Sequence, residues 1–284
     1  MTRSEVTETL YDAYGQRFSV DEIYFESRTE HQHLLIFHNA KFGRVMTLDG
    51  VVQTTERDEF FYHEMFAHVP LLAHGAAKRV LIIGGGDGGL LREVVKHPGV
   101  EHITKVEIDA GVVEMAKTHL PNHSAGAFDD PRFELVIADG ATFVEEASEQ
   151  WDVVLVDSTD PIGPGEVLFT ESFYGHCERL LAPGGVLVNQ NGVPFMQLDE
   201  LKRTAGAFGA IFADWHFYSV AVPTYVGGIM TLGFAAKDAT PRQTPLALLK
   251  ARFEAISLRT RYYTPAIHQA AFALPRYVEE AIGK

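Results

Sequence analysis

Residues 80–89 constrain the fold more than any other stretch of the chain. Val80-Leu81-Ile82-Ile83 is an unbroken apolar run, Gly84-Gly85-Gly86-Asp87-Gly88-Gly89 follows it, and a helical pattern runs from Leu90 to His97. An apolar run bounded by glycines fits a strand buried on both faces, and the glycines let the backbone turn into a helix and approach a ligand closely. Gly84, Gly86 and Gly89 keep the spacing G-x-G-x-x-G, and the strand before and the helix after raise it above a chance match. About twenty residues on, Glu107 closes a second apolar run, where a carboxylate can accept hydrogen bonds from both hydroxyls of a ribose.

The rest of the chain repeats this alternation. Apolar runs at 103–108, 133–137, 153–156 and 186–188 are separated by helical segments, which predicts a parallel sheet covered on both faces. Residues 219–222 and 230–235 flank Gly227-Gly228 and are expected to add an antiparallel hairpin at one edge. Residues 17–55 differ: short strands at 34–37 and 45–48 are punctuated by turns, and Asp49-Gly50 between apolar runs is a hairpin signal. Thr55 and Asp58 then open a helical stretch over 56–67, with the threonine expected to cap the first turn.

Two nucleotide classes use such a glycine loop: nicotinamide dinucleotides and adenosyl sulfonium compounds. Downstream residues favour the second. Asp139-Gly140 closes the third strand, where a carboxylate can read an adenine amino group, and Leu181-Ala182-Pro183-Gly184-Gly185-Val186-Leu187 is similar to the turn before the fifth strand of methyltransferase-like folds. The fold class expected is therefore α/β. A small N-terminal antiparallel β-domain (residues 1–55) precedes a Rossmann-like, methyltransferase-type α/β domain with a mostly parallel sheet (residues 56–284).

Asp87 inside the loop would repel a pyrophosphate, and it also disfavours the carboxylate tail of a methyl donor. It favours a decarboxylated donor ending in an ammonium. At about 4 Å and an effective dielectric near 20, one such contact is of order 4 kcal/mol before desolvation.

Asp157-Ser158-Thr159-Asp160-Pro161-Ile162-Gly163-Pro164-Gly165 follows the fourth strand and sets two carboxylates in the crevice beyond the strand ends, although Asp160 could equally cap the loop. Gly- and Pro-rich loops at such places act as lids that exclude water. Nucleic-acid amino-methyltransferases carry an Asn or Asp, two prolines and an aromatic here, a pattern that Ser158-Thr159 interrupts. Charge points the same way. With 24 Lys and Arg against 38 Asp and Glu, the 284 residues carry −14, a field that repels nucleic acid and anionic lipid and draws in cations. The same excess also serves solubility.

His63 and His68 tempt a metal reading, but at i and i+5 they stand about 140° apart on a helix, and no metal site is expected. The single Cys177 cannot form an intramolecular disulfide and reads as a small buried hydrophobe. No apolar run approaches the roughly 20 residues of a membrane span, and the N-terminal residues lack a signal-peptide pattern. A soluble, cytoplasmic protein is expected.

Taken together, the segment Leu48 to Glu59, Tyr62-His63-Glu64-Met65, the glycine loop with Asp87, Val106-Glu107-Ile108-Asp109, Asp157 to Gly165, Pro223-Thr224-Tyr225 and Arg261 to His268 carry a resemblance. The chain resembles bacterial spermidine synthases of the aminopropyltransferase family over nearly its whole length. The resemblance implies transfer of the aminopropyl group of decarboxylated S-adenosylmethionine, a co-substrate rather than a cofactor, to putrescine. It implies that Gln32, Glu107, Asp139, Gly140 and Pro164 hold the nucleoside, with Gln53 helping to close that site, and that Asp87 pairs with the aminopropyl ammonium. Tyr62, His63, Tyr225, Asp157, Ser158, Thr159 and Asp160 would line the diamine channel, with Asp157 as proton acceptor. A homodimer or homotetramer is also implied. Two rivals remain: an S-adenosylmethionine-dependent small-molecule methyltransferase, which would release S-adenosylhomocysteine, and a non-catalytic polyamine-binding protein. The triad Asp87, Asp157 and Asp160 counts against both.

Overall fold

The computed structural model describes residues 4–8, 10–161 and 163–284, and for 163 and 164 the backbone only. The chain begins with a short antiparallel pair, β1 (Glu5–Thr7) and β2 (Arg17–Ser19), followed by a four-stranded antiparallel meander: β3 (Glu22–Arg28), β4 (His33–Asn39), β5 (Gly43–Leu48) and β6 (Val51–Thr55). Asp49 and Gly50 both adopt positive φ, 48° and 84°, the condition for a two-residue hairpin turn of this hand. Alternation decides which face goes where. Leu34, Ile36, Met46 and Leu48 point to one side, and Leu35, Phe37 and Val45 to the other, against Val6 and Phe18.

The helix α1 (Glu59–His74) leads into the large sheet. It starts three residues later than the sequence pattern suggests and runs a turn and more further, to Gly75 in the left-handed conformation. Thr55 is not its cap. The Thr55 hydroxyl donates to Asp58 Oδ1 at 2.6 Å, while Asp58 Oδ2 accepts from the Thr224 amide at 2.8 Å and from its hydroxyl at 2.7 Å. A distant loop thus takes the hydrogen bonds that local capping would have used.

Then follow β7 (Arg79–Gly84), α2 (Gly89–Val95), β8 (His102–Glu107), α3 (Ala110–His119), α4 (Pro121–Ser124), β9 (Phe133–Ile137), α5 (Gly140–Glu146), β10 (Trp151–Asp157), α6 (Glu171–Leu180), β11 (Leu181–Gln190), α7 (Pro194–Ile211), β12 (Asp214–Ala221), β13 (Ile229–Ala236), α8 (Leu246–Ala255), α9 (Pro265–Ala271) and α10 (Arg276–Ala281). The seven strands lie in the order β12-β13-β11-β10-β7-β8-β9. All neighbours from β11 to β9 run parallel, and β13 and β12 close one edge antiparallel, as the hairpin expectation had it. The Pro-Gly-Gly segment lies inside β11 rather than before it, as a register irregularity between the pairs Trp151–Leu181 and Val153–Val186.

Strand residues alternate between two cores. Val80, Ile82, Val153 and Leu155 pack under α1 and α2, whereas Leu81, Ile83, Val154 and Val156 meet Phe173, Tyr174 and the fully buried Cys177 of α6. On the meander side, Leu34, Ile36, Met46 and Leu48 pack on Val112, Met115 and Leu120 at α3 and its C-terminus. The chain order reverses at β7, which has β8 on one side and β10 on the other. Such a switch point opens a crevice beyond the carboxyl ends of the two strands. In register, Gly84 of β7 pairs with Asp157 of β10 there.

Candidate active site

The crevice is a cavity of about 280 Å³ that reaches from the meander, through the switch point, to the loop after β11. Its floor explains the glycines. A side chain at Gly84, φ 81°, would meet the Asp157 carbonyl, and one at Gly85, φ 65°, would lie 2.6 Å from Asp157 Oδ2. Only bare backbone lets the two strand ends approach this closely. The Gly85 amide closes the contact by donating to the Asp157 carbonyl at 2.8 Å.

Asp157 Oδ1 accepts a 2.7 Å hydrogen bond from the Tyr62 hydroxyl. Burial, and then the like charge of Asp87, lift this carboxyl to about 6, against the pull of His63, Tyr62 and Lys105. It is ionised at neutral pH yet basic enough to accept a proton. Burial and the Asp157 charge keep the hydroxyls of Tyr62 and Tyr225 protonated well above their ordinary range. The two rings meet edge to face at 6.1 Å, and Tyr225 donates to the Gln53 carbonyl at 2.8 Å.

Asp87 faces the same space. Its Oδ1 accepts from the Gly89 amide at 2.7 Å, and Oδ2 stands 3.5 Å from His63 Nε2. Burial would raise its pKa, but His63, His123 and the Gly89 N–H outweigh burial and hold it low. His63 is buried with a carboxylate at each ring nitrogen, since Nδ1 lies 2.7 Å from Glu59 Oε2. Burial opposes protonation there, yet Asp87 and Glu59 together hold the imidazole up at about 9. Arg92 donates to the same Glu59 oxygen at 2.7 Å and fixes it from behind. His68 belongs to a separate cluster, between Glu93 and His97 at 3.0 Å each.

At the other end, Asp160 Oδ1 accepts from Gln197 Nε2 at 3.0 Å and Gln190 Nε2 at 3.3 Å. Side-chain amides from β11 and α7 thus hold the carboxylate at the cavity wall. Ser158 and Thr159 also line the cavity, and the Ser158 hydroxyl is buried without a partner among the described residues.

On the nucleoside side, Glu107 is buried at the end of β8 and receives the Asp109 amide at 3.0 Å. Burial, with Asp109 and Asp157, raises its pKa. Gln32 lines the cavity while donating to Asp109 Oδ2 at 3.0 Å. Asp139 caps α5 through the Thr142 amide at 2.7 Å, so one of its oxygens is spoken for, and Gly140 beside it and Gln53 opposite are also wall residues. The Pro164 side chain lies outside the described residues.

Sequence reasoning missed Glu59, Arg92, Gln190, Gln197, Glu8 and Tyr11. Glu59 and His63 at i and i+4 on one helix were a legible signal. The others reach the site from elements distant in sequence and left none.

Residues 59–244 match the model of the spermine/spermidine synthase domain, and residues 5–56 that of the spermidine synthase tetramerisation domain. A polyamine aminopropyltransferase of Pseudomonas syringae pv. tomato is 62% identical over 281 residues, covering 99% of this chain and 98% of the relative. Polyamine aminopropyltransferase 1 of Pseudomonas aeruginosa is 63% identical over the same shares of the two chains. Among solved structures, a spermidine synthase in complex with the transition-state analogue AdoDATO superposes with a TM-score of 0.93 at 37% identity, over 100% of this chain and 96% of that one. The spermidine synthase of Thermotoga maritima gives 0.91 at 35% identity, over 100% and 95%.

Proposed function

The chain belongs to the spermine/spermidine synthase family and is a polyamine aminopropyltransferase, and from that premise we propose how its own residues carry the transfer. The donor is decarboxylated S-adenosylmethionine, used as a co-substrate, and the acceptor is putrescine. The observation that carries this reading is the pair of carboxylates at the switch point: Asp87, paired with His63, and Asp157, bonded to Tyr62.

A free diamine has pKa values near that of lysine, about 10.4, so the attacking nitrogen must first lose a proton. Desolvation and the neighbouring sulfonium lower that value, and Asp157, at about 6, receives the proton. The freed lone pair forms an N–C bond to the methylene next to sulfur. The C–S bond breaks, its electrons pass to sulfur, and neutral methylthioadenosine leaves. The sulfonium supplies the activation itself, so neither a metal nor a further cofactor enters the scheme. Asp87 holds the donor's ammonium, and Asp160, with the faces of Tyr62 and Tyr225, holds the far ammonium of the acceptor. Gln32, Gln53, Glu107, Asp139, Gly140 and Pro164 would enclose the nucleoside. Fixing nucleophile and electrophile in line supplies much of the remaining acceleration.

The match of residues 5–56 to a tetramerisation domain supports a homo-oligomer, a dimer or a tetramer. No helix among the described residues is long and apolar enough to cross a membrane, which accords with a cytoplasmic place for a reaction between small soluble substrates.

Mass spectrometry of products from decarboxylated S-adenosylmethionine and putrescine tests the reading. Spermidine and methylthioadenosine in equal amounts are expected. S-adenosylhomocysteine formed from S-adenosylmethionine, with no transfer to putrescine, would sink it in favour of a methyltransferase.

A further inference from the structure

The acceptor end of the cavity closes on a side chain, not on backbone. Gln197 lines it, and this residue breaks the regular path of α7 with φ −124° and ψ 39°. Its amide is engaged at both atoms. Oε1 accepts from the Val193 amide at 2.8 Å, which fixes the orientation, while Nε2 donates to Asp160 Oδ1 at 3.0 Å and reaches Glu200 Oε2 at 3.5 Å. Gly192, at φ 61°, makes room: a side chain there would fall 2.6 Å from the Gln197 oxygen.

Behind this amide stands an unused acid. Glu200 is 5% exposed, and its Oε1 has no hydrogen-bond partner among the described residues. The Tyr11 hydroxyl, in the wall at the same end, is likewise buried and has no partner among the described residues, and it lies within reach of the carboxyls of Asp160, Glu200 and Glu8. Burial and then Asp160 push Glu200 up to about 8, with Arg203 opposing, so it rests as a neutral acid at pH 7. A neutral carboxyl is the state in which burial without a cation is tolerated.

We propose that Gln197 sets acceptor length: its amide plugs the cavity between Asp160 and a latent ammonium subsite at Glu200, so that a diamine fits and a longer polyamine is excluded. The occupant of the latent subsite is an additional ammonium of a longer linear polyamine, which would favour ionisation of Glu200 and supply the donor that Oε1 lacks. This proposal rests on the aminopropyl-transfer reading given above.

The test follows methylthioadenosine release with decarboxylated S-adenosylmethionine and either putrescine or spermidine as acceptor. In Gln197→Ser the ratio of kcat/KM for spermidine over putrescine is expected to rise by about tenfold or more, because the plug is gone and the acid is exposed. In Gln197→Ser/Glu200→Gln, with the same void but no acid, the ratio should return most of the way to the wild-type value. An unchanged ratio in the single variant, with putrescine turnover retained, overturns the proposal. An equal rise in both variants overturns the assignment to Glu200. Should thermal melting show that the serine variant does not fold, Gln197→Asn, one methylene shorter, carries the same comparison. Absence of putrescine turnover in the wild type would instead overturn the transfer reading itself.

Discussion

Asp157, the last residue of β10, and Asp160, three positions further on in the loop that follows, face one cavity, but their surroundings differ. Among the described residues Asp157 has one side-chain donor, the Tyr62 hydroxyl, and a like charge at Asp87; burial and repulsion lift it to about 6. Asp160 is also raised by burial, but among the described residues it has two amide donors, Gln190 and Gln197, that oppose the effect. In the mechanism proposed above, the first environment suits a base and the second an anchor. The difference teaches that residues of one type acquire different chemistry through their choice of partners.

Replacing each aspartate by asparagine breaks that division most directly. Asp157→Asn should lower turnover by about 10²–10⁴-fold while equilibrium binding of methylthioadenosine persists, since general-base catalysis is of that size. A near-normal rate would remove Asp157 from its role. Asp160→Asn should instead act on acceptor capture: KM for putrescine rises by about tenfold or more, with a smaller change in kcat, as expected when a charge-assisted hydrogen bond of roughly 1.5–3 kcal/mol is lost. Equal effects of the two substitutions on kcat would erase the distinction.

A smaller effect sharpens it. In the proposed mechanism the anion of Asp157 is the active form, so kcat/KM is expected to be full above about pH 6 and to be lost as pH falls through that value. The Tyr62 hydroxyl stabilises the anion, and Tyr62→Phe removes that support, so the acid limb should move upward, by about half to one unit. A limb that stays in place in the pH profile would show that the hydrogen bond does not tune the base.

Much of the fold was legible because its signals are local. The strand at 133–137 was placed to the residue, and the Asp49-Gly50 turn follows from the φ values that only such residues accept readily. The start of α1 was misplaced for a tertiary reason: Asp58 and Thr55 bond each other and Thr224 rather than the helix amides. The Pro-Gly-Gly pattern predicts a turn ahead of the strand, and cross-strand pairing on β10 draws it into β11. In the site, the aspartates and Glu107 were readable because they end apolar strands at the glycine loop and its neighbours. His63 came only through resemblance, and its protonation depends on Glu59, Arg92 and Asp87, one of them contributed by α2 across a helix interface.

The sequence by itself determined the alternating α/β order, the glycine loop that admits a ligand to backbone, and an acidic set suited to cations, because each rests on periodicity, φ preference or charge. Its −14 charge could not say which acids matter. Only the tertiary structure gave two of them their surroundings, by pairing Gly84 with Asp157 across the switch point and by setting Tyr62 against one aspartate and two amides against the other. A carboxylate's chemistry is fixed by burial and by neighbours within a few ångströms, and those neighbours are brought together by folding, not by adjacency in the chain.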